Sequence, residues 1–591
     1  MSDPSPRTLC EAFQSTLRAA WPEHTALRTL GDAVTVTWRE YGDRVRSIAA
    51  GLAGLGIGRG DTVAFMMTNR PEFHLCDTAV LHTGATPFSI YNTNPPEVIG
   101  FQLDNSDAKA VICERQFLPA IRAGMAQGGK VEHLIVLDGA ESGVLTLQQV
   151  EAAPAADFDF ESAWRAVGPE DVVTLVYTSG TTGMPKAVEI THTNLLASMR
   201  LYDEMKGLTL GASDRLISYL PDAHMANRWL THYPQMKYGA TITTSADFKQ
   251  VGAALVEVRP TLFLGVPRVW IKAKAGIEAA VAAKSPVERA LLGWALATGL
   301  RVGRAKSHGR EASLADRVQY AVADRLLGKI RAQLGLDQFR LAVSSTAPIP
   351  PEVLEFTLGL GVTVCEAWGL TEATCPLTIN QPDHIRVGTV GTPVPGAEIK
   401  LAGDGEILAR GPMIMRGYRK DPEKTAEAID SDGWLHSGDV GAFDAEGNLK
   451  IVDRKKELII NAAGKNMSPA NIENAITAHT ALAGPVVAIG DGRQYNTALI
   501  TLDPDAVTAF AAREGISGTI AELAHHPKVH ERIQAGVDAA NATLSRVEQV
   551  KKFSVVPEVW EPGSDYLTAT NKLRRKPIAT AYADRIDDMY S

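Results

Sequence analysis

The length and the composition of the chain exclude several classes of protein. Its 591 residues include 45% hydrophobic and 21% charged side chains, close to the average of soluble globular proteins, so neither a disordered nor a fibrous chain is expected. This length is enough for at least two domains with their own cores. The formal net charge of −9 provides no basic field for nucleic acid, which we exclude as a partner.

The cysteines and the N-terminal sequence indicate a reducing compartment. The five cysteines are odd in number, widely separated and without metal-ligand spacing: Cys10, Cys76, Cys113, Cys365 and Cys375. The first residues lack the charged and apolar regions of a signal peptide, and no uninterrupted apolar stretch is long enough to span a bilayer. We therefore expect a cytoplasmic protein, and peripheral contact with the inner membrane remains open.

Helical patterns alternate with short β-branched strands in the first part of the chain. Residues 44–67 predict a helix, a glycine-rich turn and a strand at Thr62 to Met66, and the same order recurs at Glu97 to Cys113 and at Pro350 to Cys365. Parallel sheets covered by helices are expected, which defines an α/β protein. The turn GLGIGRGD follows a helix and precedes a strand, the opposite of the dinucleotide-binding order, so we interpret it as a plain turn.

Later segments change in character. Residues from Ile271 to Leu336 are rich in Ala, Arg, Lys and Leu at helical spacing and predict two or three helices. Their basic faces are either simply solvated or a docking surface for acidic lipid headgroups. The segment from Gly391 to Ala442 predicts a β-rich subdomain that ends near Asp453. The run HHPKVH at 525–530 predicts a solvated helix start rather than a metal site, because proline interrupts it.

The most informative stretch is LVYTSGTTGMPKAVEITHTNL, at residues 175–195. A strand enters a loop of hydroxyl residues and glycines, where backbone N–H groups can approach an anion closely and Lys186 can supply positive charge. This composition suits a polyphosphate. The stretch is not a Walker A motif. The segment GMAQGGKV at 124–131 matches the first part of that motif, but Val131 replaces the Ser or Thr that binds magnesium, so we do not interpret it as a phosphate-binding loop.

The segment YTSGTTGMPK resembles the signature of the acyl-adenylate-forming superfamily, which includes acyl-CoA synthetases, luciferases and adenylation domains. Further blocks follow in the family order: LPDAHMANRW, GVPRVW, SSTAPIP, EAWGLTE, DGWLHSGDVG, IVDRKKE, AAGKNMSP and TATNKLRRK. Several are most similar to bacterial long-chain fatty acyl-CoA synthetases. The resemblance implies an N-terminal domain at 1–453, built from two α/β lobes and a β-barrel-like lobe, and a small mobile α+β C-terminal domain at 454–591.

The resemblance also implies which residues bind the nucleotide. Trp368, where the family usually has Tyr, would stack on adenine, Thr371 would contact phosphate, and Glu372 would hold Mg²⁺. Asp439 would accept hydrogen bonds from the ribose hydroxyls, and Arg454 would contact the nucleotide. The complete set is Thr178, Ser179, Gly180, Thr181, Thr182, Gly183, Lys186, Glu366, Trp368, Gly369, Thr371, Asp439, Arg454 and Lys572.

Catalysis and thioester formation are assigned in the same way. Lys572 would reach the carboxylate and the α-phosphate during adenylation, where positive charge is required, and Lys186, Glu372 and His224 complete the catalytic group. His224 is alternatively a hydrogen-bonded core histidine. Lys456 would be the hinge of a domain rotation that brings the coenzyme A contacts to the site. These contacts are Gly464, Lys465 and Asn466.

The expected reaction joins a carboxylic acid, predicted to be a long-chain fatty acid, to coenzyme A with ATP and Mg²⁺. Asp222 stands where an apolar residue is common, and SSTAPIP departs from the usual glycine-rich version. These departures leave the acyl group open, including a steroid or aromatic acid. A ligase that loads a carrier protein and a non-enzymatic protein that binds nucleotide and carboxylate for transport or sensing are the alternatives. The oligomeric state is not predicted.

Overall fold

The computed structural model describes residues 5–178, 184–462, 465–568 and 572–591. It has a mixed α/β architecture with a large N-terminal region and a smaller C-terminal region, which confirms the predicted fold class. None of the helices in the described ranges combines the length and the apolar character needed to cross a bilayer.

An eight-stranded sheet forms the centre of the first lobe. The strand Thr62–Met66 is buried along its whole length and has the bounds predicted from the sequence. The helix Pro96–Ser106 and the parallel strand Ala108–Cys113 confirm the second predicted repeat, and the turn GLGIGRGD joins a helix to a strand as expected. In spatial order the strands are Gly417–Tyr418, Lys186–Thr191, Val172–Thr178, Thr86–Ser89, Thr62–Met66, Ala108–Cys113, His133–Val136 and Leu145–Thr146.

Helices cover this sheet and close its core. The threonines Thr37 and Thr191 begin two of them with capping boxes, in which side chain and backbone satisfy each other's free donors. The helices are Leu9–Ala19, Trp38–Gly54, Pro71–His82, Pro96–Ser106, Leu118–Met125, Leu147–Ala152, Phe160–Arg165 and His192–Glu204.

Two smaller sheets build the second lobe. One contains Arg215–Ser218, Thr241–Thr244, Thr25–Thr29 and Thr35–Thr37; the other contains Leu262–Gly265, Leu341–Ser344, Val364–Trp368, Thr378–Ile379 and Thr392–Pro393. The helix Pro351–Leu360 precedes the strand Val364–Trp368, which confirms the third predicted repeat. The other helices are Met225–Asn227, Tyr233–Tyr238 and Val251–Val258, and a π-helical turn spans Arg228–His232.

The segment rich in Ala and basic residues forms three helices, Pro267–Ala282, Pro286–Ser307 and Leu314–Gln333. The two-or-three-helix prediction is thus confirmed with three. Gly303 lets the second helix approach the helix Pro351–Leu360 closely, because an added Cβ would lie 2.4 Å from the Glu355 carbonyl oxygen. These helices therefore pack against the second lobe instead of forming a separate unit.

A four-stranded antiparallel sheet follows, as predicted for the β-rich segment. Its strands are Glu398–Leu401, Glu406–Arg410, Leu435–Phe443 and Leu449–Arg454, with the helix Pro422–Ala428 beside it. The proposed domain boundary between Asp453 and Arg454 falls at the last residue of this sheet, and it stays a prediction.

The C-terminal region has a three-stranded sheet, Ala483–Ile489, Asn496–Leu502 and Val550–Val556, and a short hairpin, Ile459–Ile460 with Asn466–Met467. Its helices are Pro469–His479, Pro504–Glu514, Ile520–Ala524, Pro527–Thr543, Arg575–Ala581 and Ala583–Asp588. His526 caps the helix that begins at Pro527, so HHPKVH is a helix start as predicted. Across the described residues no group of three potential metal ligands occurs.

Candidate active site

Lys186 and Glu372 meet at one aromatic side chain. Lys186 begins the strand that pairs with Val172–Thr178, directly opposite Thr178. Its Nζ lies 4.1 Å from the centre of the Tyr418 ring, and the Tyr418 hydroxyl donates to Glu372 Oε1 at 2.8 Å. The two charged residues therefore face the same cavity, which they line together with Tyr418.

Tyr418 was missed by the sequence analysis. It belongs to the two-residue strand Gly417–Tyr418, which pairs with the strand beginning at Lys186 and carries no motif of its own. Burial raises the pKa of the Tyr418 hydroxyl, and the neighbouring Glu372 carboxylate raises it further. The hydroxyl therefore stays protonated and donates. The predicted nucleotide-binding residues Ser179, Gly180, Thr181, Thr182 and Gly183 lie outside the described residues.

Trp368, Asp439 and Arg454 form a hydrogen-bonded group on the wall of the cavity. Trp368 Nε1 donates to Asp439 Oδ2 at 2.8 Å, and Arg454 Nε lies 3.0 Å from Asp439 Oδ1. Asp439 and Arg454 face each other across neighbouring strands. Burial raises the pKa of Asp439, whereas Arg454 and the Trp368 N–H oppose this. Each carboxylate oxygen has a second lone pair that can accept another donor.

The turn after Trp368 positions the remaining residues of the EAWGLTE block. Glu366 lies two residues before Trp368 on the same strand, and its Oε2 accepts from the Gly388 N–H at 3.0 Å. Burial raises the pKa of Glu366 to about 8, so this side chain is mostly protonated at neutral pH. Gly369 is required sterically, because a Cβ there would lie 2.8 Å from Pro376 Cα. Thr371 follows at the cavity wall.

Lys572 reaches this site from the C-terminal region. Desolvation lowers the pKa of its amino group and the charge of Arg454 adds to this, whereas Asp439 and Glu372 oppose it. Its side chain lines the same cavity as Arg454, Asp439 and Glu372. The Lys572 N–H donates to Thr568 Oγ1 at 3.0 Å, which fixes the backbone that presents the lysine.

His224 lies on the wall of the same cavity. Its Nδ1 accepts from the Ala226 N–H at 3.1 Å and so caps a short helix, and the side chain lines the cavity. Burial lowers the pKa of His224 to about 4, and the Lys572 charge contributes. The imidazole is therefore neutral at physiological pH, with Nε2 as its remaining polar atom.

A buried charged network beneath His224 was also missed. Asp77 binds Arg228 Nη1 through Oδ2 at 2.6 Å and His232 Nε2 through Oδ1 at 2.9 Å. His232 Nδ1 lies 2.9 Å from His74 Nδ1. Arg228 Nε also donates to the Asp222 carbonyl oxygen at 2.7 Å. This network ties the first lobe to the turn that carries His224.

Of the predicted coenzyme A contacts, the structure places only the Lys465 side chain, which does not line the cavity. Lys465 is exposed, and its N–H donates to Asn461 Oδ1 at 2.9 Å; among the described residues it is not part of the cavity wall. Gly464 and the side chain of Asn466 lie outside the description. The predicted hinge residue Lys456 is exposed just after the strand that ends at Arg454, and it does line the cavity.

Two ion pairs connect the regions beside this cavity. Arg268 Nη2 lies 2.9 Å from Asp503 Oδ2, and Lys272 Nζ lies 3.2 Å from Asp505 Oδ2. The cavity that these elements enclose measures about 4360 Å³. Within the described ranges, these residues thus line a cleft between the large N-terminal region and the smaller C-terminal region.

Comparison with known proteins identifies the family. The family model described as AMP-binding enzyme matches residues 15–419, and that of the AMP-binding enzyme C-terminal domain matches residues 456–591. The chain belongs to this family of AMP-binding enzymes, and the superfamily predicted from the sequence is confirmed.

The curated relatives agree with this membership, and a solved structure shares the fold. FadD11 of Mycobacterium tuberculosis, provisionally named a fatty-acid–CoA ligase, is 51% identical over 76% of this chain and 79% of its own length. The long-chain-fatty-acid–CoA ligase FadD15 of the same species is 34% identical over 96% of this chain and 95% of its own. The o-succinylbenzoate–CoA synthetase of Bacillus subtilis, solved with ATP and magnesium, has the same fold, with a TM-score of 0.67, 20% identity and coverage of 96% and 98%.

Proposed function

We propose that this protein is an acyl-CoA ligase that converts a long-chain fatty acid, ATP and coenzyme A to acyl-CoA, AMP and diphosphate. The observation that carries the proposal is the convergence of Lys186, Glu372, Asp439, Arg454 and Lys572 on one cavity. Three cations and two carboxylates suit a magnesium nucleotide better than a neutral ligand. The names of FadD11 and FadD15 support the choice of acid and acceptor.

In the first half-reaction, a carboxylate oxygen of the acid attacks the α-phosphorus of ATP and diphosphate leaves. Lys572 and Lys186 offset the repulsion between the two anions and stabilise the charge that develops at the phosphorus. Asp439 holds the ribose through the lone pairs that Trp368 and Arg454 leave free. His224 is a neutral imidazole whose Nδ1 accepts from the Ala226 N–H. Its Nε2–H can therefore donate to the acid and orient it next to the phosphorus.

Glu372 fits the role of a magnesium ligand. Its carboxylate accepts the Tyr418 hydroxyl and has no ion pair among the described residues, so its negative charge is available to a cation. Mg²⁺ is commonly held by one or two carboxylates together with substrate phosphates. When bound, the ion would neutralise charge on the phosphate oxygens.

In the second half-reaction, the coenzyme A thiol attacks the carbonyl carbon of the acyl-adenylate and AMP leaves. Lys465 lies outside the cavity, so this step requires a different arrangement of the C-terminal region. We propose that the chain turns at Lys456 to bring Gly464, Lys465 and Asn466 to the site.

The five free cysteines fit a reduced cytoplasmic location.

Diphosphate release with a panel of acids tests the proposal. The acids vary in chain length and in ring content, and each is measured with and without coenzyme A. We expect the fastest release with long-chain acids and stimulation by coenzyme A. Stimulation only by a phosphopantetheine carrier protein would identify a carrier-loading ligase, and preference for a steroid or aromatic acid would change the substrate class. No release with any acid would refute enzymatic activation.

A further inference from the structure

The outer face of the helix Leu314–Gln333 is apolar and has no partner in the described structure. Leu314 is 70% exposed, Val318 61% and Val322 54%. Spacings of four and eight residues place the three side chains on one face of the helix. The opposite face buries Ala323 and Leu327. Single exposed apolar residues need no explanation, but an aligned row opposite the packed face indicates a contact surface.

Positive charge continues the same face. Arg325 and Lys329 follow Leu314 by 11 and 15 residues, which returns them to nearly the same angle around the helix. Both are exposed, and neither has an ion pair within the described ranges. The segment 267–333 contains 13 Lys and Arg against 5 Asp and Glu, a net charge of +8, whereas the whole chain has −9. The charges of the protein are thus strongly segregated.

The preceding helix exposes a second apolar row. Val287 is 78% exposed, Leu291 48% and Trp294 38%, again at helical spacing. Tryptophan is favoured at the boundary between water and lipid because its ring is apolar and its N–H is polar. We refer to the two helices Pro286–Ser307 and Leu314–Gln333 as the helical hairpin. It carries exposed apolar side chains on both of its helices.

The helical hairpin is connected to the substrate cavity. The helix Pro267–Ala282 packs against both Pro286–Ser307 and Pro351–Leu360, and its residues Lys272, Ala273 and Ala275 line the cavity. One helix therefore separates the cavity from the exposed surface. A hydrophobic ligand that arrives at the hairpin has a short route to the cavity.

We propose that the helical hairpin docks on an anionic lipid bilayer. A helix with apolar side chains and flanking Lys and Arg lies in the boundary region of such a bilayer, where the apolar groups are buried and the basic groups contact headgroups. The segment 286–333, which contains the hairpin, has 9 Lys and Arg against 4 Asp and Glu, a net charge of +5. Symmetrical contact with a second copy would bring two such segments together, which like-charge repulsion opposes. Delivery of the fatty acid by this contact rests on the proposed function, but the docking itself does not.

Vesicle co-sedimentation tests the proposal. The purified full-length protein is mixed with vesicles of phosphatidylcholine alone or of equimolar phosphatidylcholine and phosphatidylglycerol. We expect binding to the anionic vesicles that weakens with added salt. Arg325→Gln combined with Lys329→Gln should weaken it about 25-fold, since each basic side chain near the surface contributes about fivefold. Val318→Ser combined with Val322→Ser should weaken it at least about tenfold.

A matched control keeps the test specific. Arg546→Gln combined with Val547→Ser makes one change of each kind at exposed positions of the C-terminal region and should bind like the wild type. All variants should keep the wild-type thermal midpoint and the wild-type rate of diphosphate release with a water-soluble acid. That rate separates failure of docking from failure of the ligase activity.

Three results would overturn the docking proposal. The first is wild-type protein that stays in the supernatant with anionic vesicles. The second is equal binding by the wild type and both hairpin variants. The third is a wild-type dimer, seen by light scattering, that Val318→Ser with Val322→Ser converts to a monomer, because the apolar row would then be an interface between two copies.

Discussion

The ion pair between Arg268 and Asp503 should control which half-reaction the enzyme favours. The two residues are 235 positions apart in the chain and join the helix Pro267–Ala282 to the start of the helix Pro504–Glu514. Asp503 Oδ1 accepts from the Asp505 and Ala506 N–H groups, while Oδ2 binds the arginine. Asp503→Asn therefore removes the charge and preserves an acceptor for the helix cap.

The exposure of the pair sets the size of the effect. The Arg268 side chain is 49% exposed and Asp503 12%, so the pair lies between a solvated ion pair and a buried one. Such a pair contributes about 1 kcal/mol. This corresponds to about a fivefold change in the ratio of molecules that have Lys572 in the cavity to molecules in any other arrangement. Removing the Lys272–Asp505 pair as well should increase the change.

The two half-reactions are measured separately. Pyrophosphate exchange reports adenylation, and supplied acyl-adenylate with coenzyme A reports thioester formation. Asp503→Asn should lower the ratio of the adenylation rate to the thioester rate by up to about fivefold. In a double-mutant cycle, Arg268→Ala combined with Asp503→Asn should lower the ratio of the adenylation rate to the thioester rate no further than either single change does. Additive losses, or equal losses in both half-reactions, would refute a role of this ion pair in domain arrangement.

Three further outcomes are expected. Lys572→Met should slow adenylation by about 10²–10³-fold with little change in ATP binding, whereas the surface control Lys551→Met should have no effect; intact pyrophosphate exchange in Lys572→Met would contradict the role. Trp368→Phe keeps an aromatic face but loses the N–H that donates to Asp439. KM for ATP should therefore rise about tenfold, and kcat should fall by a smaller factor. An unchanged KM would mean that this hydrogen bond does not position the nucleotide site. Burial raises the pKa of Asp222 from 3.8 to about 7, so its contribution to stability is lost as pH rises between about 4 and 7. When pH rises from about 5 to about 8, the free energy of unfolding of Asp222→Asn should therefore gain about 3 kcal/mol relative to wild type. An equal difference at both pH values would contradict the shift.

Local patterns in the sequence predicted much of the fold. The strand Thr62–Met66 was predicted with its bounds, because a β-branched run between a glycine turn and a helix leaves few alternatives. The three helices between Pro267 and Gln333 follow from spacing and composition. The motif blocks also predicted that Lys186, Glu372 and Lys572 share one site. All three line the same cavity, although they are far apart in the chain.

Contacts between distant residues could not be predicted in this way. Tyr418 joins Lys186 to Glu372 through a two-residue strand that has no sequence signal of its own. The bonds from Asp77 to Arg228 and His232 span about 150 positions and depend on how two lobes pack. The hydrogen bond from Trp368 to Asp439 likewise arises because two sheets meet at the cavity. Such pairings are decided by packing, which single-sequence patterns do not contain.

The charges of the cavity link nucleotide binding to the position of Lys572. Desolvation and the neighbouring Arg454 lower the pKa of Lys572, whereas Asp439, Glu372 and Glu457 raise it, so the loss of water is the largest cost of placing the charged lysine in the cavity. On the proposed function, a bound polyphosphate would offset this cost, and by linkage it would favour the arrangement in which Lys572 occupies the cavity. Departure of diphosphate takes most of this negative charge away. On the proposed function, the cost of burying the Lys572 charge would then return, which would favour opening after adenylation, just as the polyphosphate would favour closure before it.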